Sequence, residues 1–153
     1  MHWLWAVSAL KLALQTYIVG SFGTAAGLES MSPKRAEKFL QAMRDPSQPY
    51  PELLMESFPA LYAYAKQRHG WAPGEDVDAA VSALNDLRNG MEHFMPKGWS
   101  IEASGLPNIT RGVLSAISDL GWGEARELPW HSQERLNECR DLVAGIFEDL
   151  NDL

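Results

Sequence analysis

Apolar residues recur along most of this chain at intervals of three and four, the spacing that lines one face of an α-helix, and proline and glycine punctuate the runs. The clearest run is Val77, Val81, Leu84, Leu87, Met91 and Phe94. It predicts an amphipathic helix over residues 76–94, with Asp76 and Asp78 at the positive end of its dipole and Pro96 ending it. A second stripe, Leu136, Cys139, Val143, Ile146 and Leu150, predicts a last helix opened by Ser132, with Cys139 on the packed face as filler rather than nucleophile.

The remaining elements follow from caps and breakers. A serine can bond free amides and a proline tolerates the first helical turn, so Ser32 and Pro33 open a helix reaching about residue 43. Pro46, Pro49 and Pro51 make a stiff connection, after which residues 53–68 read as a helix broken near Pro59 and closed by Gly70. Tyr62 and Tyr64 are too close in sequence to share a helical face, so one of them is expected to face a groove or a partner. Residues 99–108 read as irregular, with a short extended piece at 99–103, and residues 109–120 as a helix capped by Asn108.

The first long apolar stretch, residues 3–28, carries Lys11 and Gln15 in its interior, and nothing basic precedes it as a signal peptide would require. It is expected to be a buried first helix over residues 2–20, weakened by Gly20, Gly23 and Gly27, and not a membrane span. The pattern as a whole predicts an all-α protein, an up-and-down bundle of about five to six helices in a single domain over residues 1–153.

Composition changes this picture little: 46% of residues are apolar and 22% charged, enough for a chain of 153 residues to bury its own core. A single cysteine excludes an intramolecular disulfide, and no Cys/His cluster has the spacing of a zinc site. No metal or cofactor is expected, and a reducing cytoplasm fits best. Six tryptophans suggest exposed aromatic surface and hence a partner interface. Charge matters more. Residues 1–72 hold seven Lys/Arg against five Asp/Glu, and residues 73–153 six against fifteen, so long-range attraction for a polyanion is poor and any nucleic acid must be gripped locally.

The candidate chemistry lies in the stretch Leu87, Arg88, Asn89, Gly90, Met91, Glu92, His93, Phe94, Met95, Pro96, Lys97, Gly98, Trp99. A histidine titrates close to neutral pH and can take or give a proton, and a guanidinium is permanently charged and forks two hydrogen bonds to phosphate oxygens. Asn89 and His93 are four apart and hence neighbours on a helix, so the amide can fix the imidazole tautomer. Arg88 and His93, in contrast, lie about 140° apart around an ideal helix. Their convergence needs the long arginine to reach around, distortion at Gly90, or a second chain. A plain structural account stands beside this one: Arg88 pairs with Glu92 one turn on, while Asn89 and His93 point to water. His2, His69 and His131 lack a carboxylate or cysteine at motif spacing and read as surface or capping residues.

This stretch resembles the HEPN superfamily, small all-helical domains sharing an arginine, a polar residue and a histidine four to six positions later. Its continuation through Phe94, Pro96 and Trp99 is similar to the ending found in bacterial members. The resemblance implies a homodimer whose two motifs face one cleft, and in active members a metal-independent endoribonuclease that serves as a toxin or in phage defence. On that basis Arg88, Asn89 and His93 are the expected catalytic residues, Lys97 and Trp99 contact RNA, and the partners are RNA and an antitoxin or nucleotidyltransferase-like protein. Trp99 either stacks a base or covers the core. The alternative function is a catalytically inactive dimerisation or binding module that engages a protein or a nucleotide. An all-helical protein outside the family is a third reading.

Overall fold

The computed structural model describes residues 2–23, 27–92, 103–123 and 132–151. Among them six α-helices follow one another with no strand: α1 (His2–Ser21), α2 (Pro33–Arg44), α3 (Phe58–His69), α4 (Glu75–Glu92), α5 (Leu106–Trp122) and α6 (Gln133–Asn151). Short 3-10 turns at Leu28–Ser30 and Ala103–Gly105 precede α2 and α5. The chain is therefore all-α, a helical bundle, as its periodicity predicts. No described helix is long and apolar enough to cross a membrane.

Helix α5 is the centre of the bundle because it presents a wide apolar face: Val113, Leu114, Ala116, Ile117 and Leu120 are all buried. It packs against α4, α1 and α6. The core is completed by Val7, Leu14 and Ile18 of α1, Phe58, Leu61, Tyr62 and Ala65 of α3, Val81 and Leu84 of α4, and Leu150 of α6. Gly112 allows α4 and α5 to approach, for a Cβ there would lie 2.4 Å from the Cβ of Ala80, far inside contact distance. The helices meet at backbone range where they cross.

Several boundaries differ from those predicted. Only Phe58–His69 of the third predicted helix is helical, because Pro59 opens the helix instead of breaking it: in the first turn its missing N–H costs nothing. The preceding segment is irregular and is tied back by the Glu56 amide, which donates to the Ser30 carbonyl at 2.8 Å. Gly70 does close α3, in the left-handed conformation at φ 57°. Helix α5 begins at Leu106 with Pro107 in its first turn, so Asn108 is inside the helix and not its cap. There Asn108 Oδ1 accepts from Arg111 Nη1 at 3.1 Å. Ala103, expected to end an extended piece, begins a 3-10 turn; residues 99–102 of that piece lie outside the described residues.

Caps divide similarly. The Ser132 hydroxyl accepts from the Arg135 amide at 3.3 Å, a side-chain cap. Ser32 stands at the cap of α2 but makes no such bond; its carbonyl accepts from the amides of Arg35 and Ala36 instead. Helix α1 is buried on one face only, with Trp5 77% and Leu12 66% exposed. Of the other tryptophans, Trp3, Trp71 and Trp122 pack against the core.

Candidate functional site

The last turns of α4 carry Arg88 and Asn89. Leu84 is fully buried beneath them, and Leu87 and Met91 pack against the core, so this end of the helix is anchored by its apolar stripe. Arg88 and Asn89 are half-buried, and Arg88 Nη1 donates to Asn89 Oδ1 at 3.4 Å. Helix α4 is continuous through Gly90, so no break there turns Arg88 toward the following residues. His93, Lys97 and Trp99 lie outside the described residues, as does the Glu92 side chain expected to pair with Arg88. Arg88 and Asn89, neighbours in the chain, are thus the part of the predicted cluster that falls within the described residues.

Beside the Ala80–Gly112 crossing a surface cavity of about 740 Å³ opens between α4 and α5, floored by small residues, Ala79, Ala80, Ala83, Gly112 and Ser115, with Arg111 at its edge. Neither Arg88 nor Asn89 lines it.

Two polar clusters escape sequence reasoning. His69 is not a loose surface group: its Nε2 lies 3.0 Å from Ser21 Oγ, and its ring stacks on Phe22 with centroids 6.3 Å apart. The Ser21 hydroxyl donates to the Ile18 carbonyl at 2.7 Å, so its one proton is aimed away from the imidazole and its oxygen accepts from Nε2. The pair is a tie between α1 and α3, not a nucleophile with its base. Forty-eight residues separate the partners, and no local pattern announces them.

The second cluster joins α3 to α4. Tyr62 donates to Asp78 Oδ1 at 2.8 Å, and Lys66 Nζ reaches the two oxygens of the same carboxylate at 3.0 and 2.8 Å. Partial burial pushes the Asp78 pKa up, but the bonds from Lys66 and Tyr62 outweigh it and hold the carboxyl below its usual range. Burial, with the bond to Asp78, pushes the Tyr62 phenol above its ordinary value. Tyr62 therefore points inward, and Tyr64 also packs against the core. A signal was present here: a cation in the last turn of one helix and a carboxylate in the first turn of the next, across a short loop.

Cys139 is half-buried and meets Tyr17, whose phenol is pushed up by burial first and by the thiol second. Among the described residues no group of three or more His, Cys, Asp or Glu is arranged to hold a metal ion.

Compared with known proteins, the chain matches no family model, no curated protein and no solved structure.

Proposed function

We propose that this chain is a metal-independent endoribonuclease of the kind its HEPN resemblance implies, with Arg88, Asn89 and His93 as the reacting cluster. The observation that supports it is the pair on α4: a guanidinium bonded to an amide at 3.4 Å, half-buried on a helix whose apolar stripe, through Leu84, Leu87 and Met91, is anchored in the core. Such anchoring holds polar groups in place before substrate arrives.

In the proposed reaction the RNA 2′-oxygen attacks the adjacent phosphorus, its proton passes to an imidazole, and the P–O5′ bond breaks as the 5′-oxygen takes up a proton. The products are a 2′,3′-cyclic phosphate and a 5′-hydroxyl. Arg88 stabilises the negative charge on the phosphorane. Asn89 Oδ1, which accepts from Arg88, has a second lone pair to accept from the N–H of the His93 imidazole, which fixes the tautomer and leaves the other ring nitrogen free to take the proton. Because α4 is continuous through Gly90, Arg88 and His93 meet across a homodimer in this reading, the arginine of one copy facing the histidine of the other. RNA is the substrate, an antitoxin or nucleotidyltransferase-like protein the natural restraint, and toxin or phage-defence activity the biological setting.

A second reading, an inactive assembly module, is favoured by the excess of carboxylates over residues 73–153. One experiment separates the two. Purified wild type, Arg88→Ala and His93→Ala are incubated with total RNA in EDTA, and termini are analysed. Cyclic phosphate ends made by the wild type alone support the nuclease; identical behaviour of all three supports the module.

A further inference from the structure

Helix α2 is a cationic element in a chain of net charge −7: it carries Lys34, Arg35, Lys38 and Arg44 against one carboxylate, Glu37. Lys34 and Lys38 stand one turn apart, both exposed, and neither forms an ion pair among the described residues. Glu37 instead accepts from Gln41 at 3.3 Å. Arg35 donates one of its five hydrogens to the Leu54 carbonyl at 3.3 Å, which pins the returning segment alongside the helix.

Between the helix and that segment lies a surface cavity of about 260 Å³, lined by Ser32, Lys34, Arg35, Lys38, Pro51 and Glu52. Next to it in the chain Tyr50 is 60% exposed, with its ring set against Phe39 at 5.4 Å between centroids. The connection is also stiff. Asp45, at the end of α2, accepts from the Ser47 amide at 3.0 Å, the Ser47 hydroxyl at 2.6 Å and Gln48 Nε2 at 3.1 Å, so its carboxylate is satisfied by the connection itself.

Three cations on a small cavity, one carboxylate at its rim and a supported aromatic ring beside it match the parts of a ribonucleotide strand. Cations track phosphates, an aromatic ring stacks an unpaired base, and a carboxylate accepts from a ribose 2′-hydroxyl. We propose that the Lys34–Arg35–Lys38 cavity and Tyr50 form a docking site for single-stranded RNA. Lys34, Arg35 and Lys38 hold successive phosphodiesters, Glu52 accepts from a 2′-hydroxyl, and Tyr50 stacks a base. This rests on the reading of RNA as the substrate and adds where the strand is held outside the reacting cluster. It also answers the charge problem, since grip at one local patch does not need a basic protein.

The test is fluorescence anisotropy of a labelled 12-nucleotide oligouridylate titrated with the full chain over a salt series. Lys34→Glu with Lys38→Glu is expected to weaken binding at least tenfold. Lys34→Gln with Lys38→Gln is expected to lower the salt slope by about 1.4, the value for two phosphates lost from a single strand. Tyr50→Ala is expected to cost roughly tenfold, and the deoxy 12-mer to bind more weakly than the ribo form. Circular dichroism on each variant establishes that it is folded. Unchanged affinity in both lysine pairs, equal affinity for duplex RNA, or no binding by the wild type overturns the proposal. Binding that depends on the lysines in a protein that does not cleave leaves this site standing and removes the nuclease. Cleavage that depends on Arg88 with lysine-independent binding does the reverse.

Discussion

The hydroxyl of Tyr62, buried in α3, bonds the carboxylate of Asp78 in the first turn of α4 at 2.8 Å. The bond fixes the corner between two helices of the core, and Lys66 completes it from the same side of α3. Tyr62→Phe removes one charge-assisted hydrogen bond while keeping the ring and its edge contact with Trp71. The expected loss is about 1–2 kcal/mol, measured as a shift in the urea midpoint at constant slope.

Acid acts at the same corner. The Asp78 carboxyl is held below its usual range when folded, so its contribution is complete above the unfolded value near 3.9 and is lost as pH falls through the folded one. The gap in Tm between wild type and Asp78→Asn is therefore expected to be widest above about pH 5 and to close in stronger acid. A gap that grows as pH falls contradicts this assignment.

Two glycines in helix interiors are expected to answer alanine with opposite signs. At Gly112 the new methyl would sit 2.4 Å from the Ala80 Cβ, and overpacking should destabilise by about 1–3 kcal/mol. Ala80→Gly should recover part of that loss in the double variant. At Gly145 nothing lies within 4 Å, so alanine should stabilise by up to about 1 kcal/mol through helix propensity alone. Thermal unfolding of the four variants measures both effects.

If Arg88 stabilises the phosphorane, lysine cannot replace it, because a point-charge ammonium does not present the planar fork. Arg88→Lys is expected to slow single-turnover cleavage by about a hundredfold, the scale of one lost transition-state donor, with little change in the affinity for oligouridylate. Retention of full activity in Arg88→Lys would leave only a bulk electrostatic role for this residue.

Much of the helical content was legible in the sequence. Helix α4 was announced by a stripe of six apolar residues with two aspartates at its head, and α6 by its own stripe and by Ser132. Misreadings fell where one residue type serves two ends of a helix. Pro59 reads as a breaker and Pro107 falls in a stretch that reads as irregular, yet each stands in a first turn, where proline is as comfortable as it is disruptive further in. Asn108 has the chemistry of a cap, but the helix had already begun.

By itself the sequence determined the class of fold, the four-residue spacing of Asn89 and His93, and the division of charge between the two halves of the chain. These depend on periodicity and composition, which are local or additive. Tertiary structure alone decided which partners meet across long stretches of chain: Ser21 with His69, Gly112 against Ala80, and Pro51 and Glu52 beside the cations of α2. Such pairings depend on how whole helices cross, and a crossing is set by the packing of many side chains at once, which no short window of residues encodes.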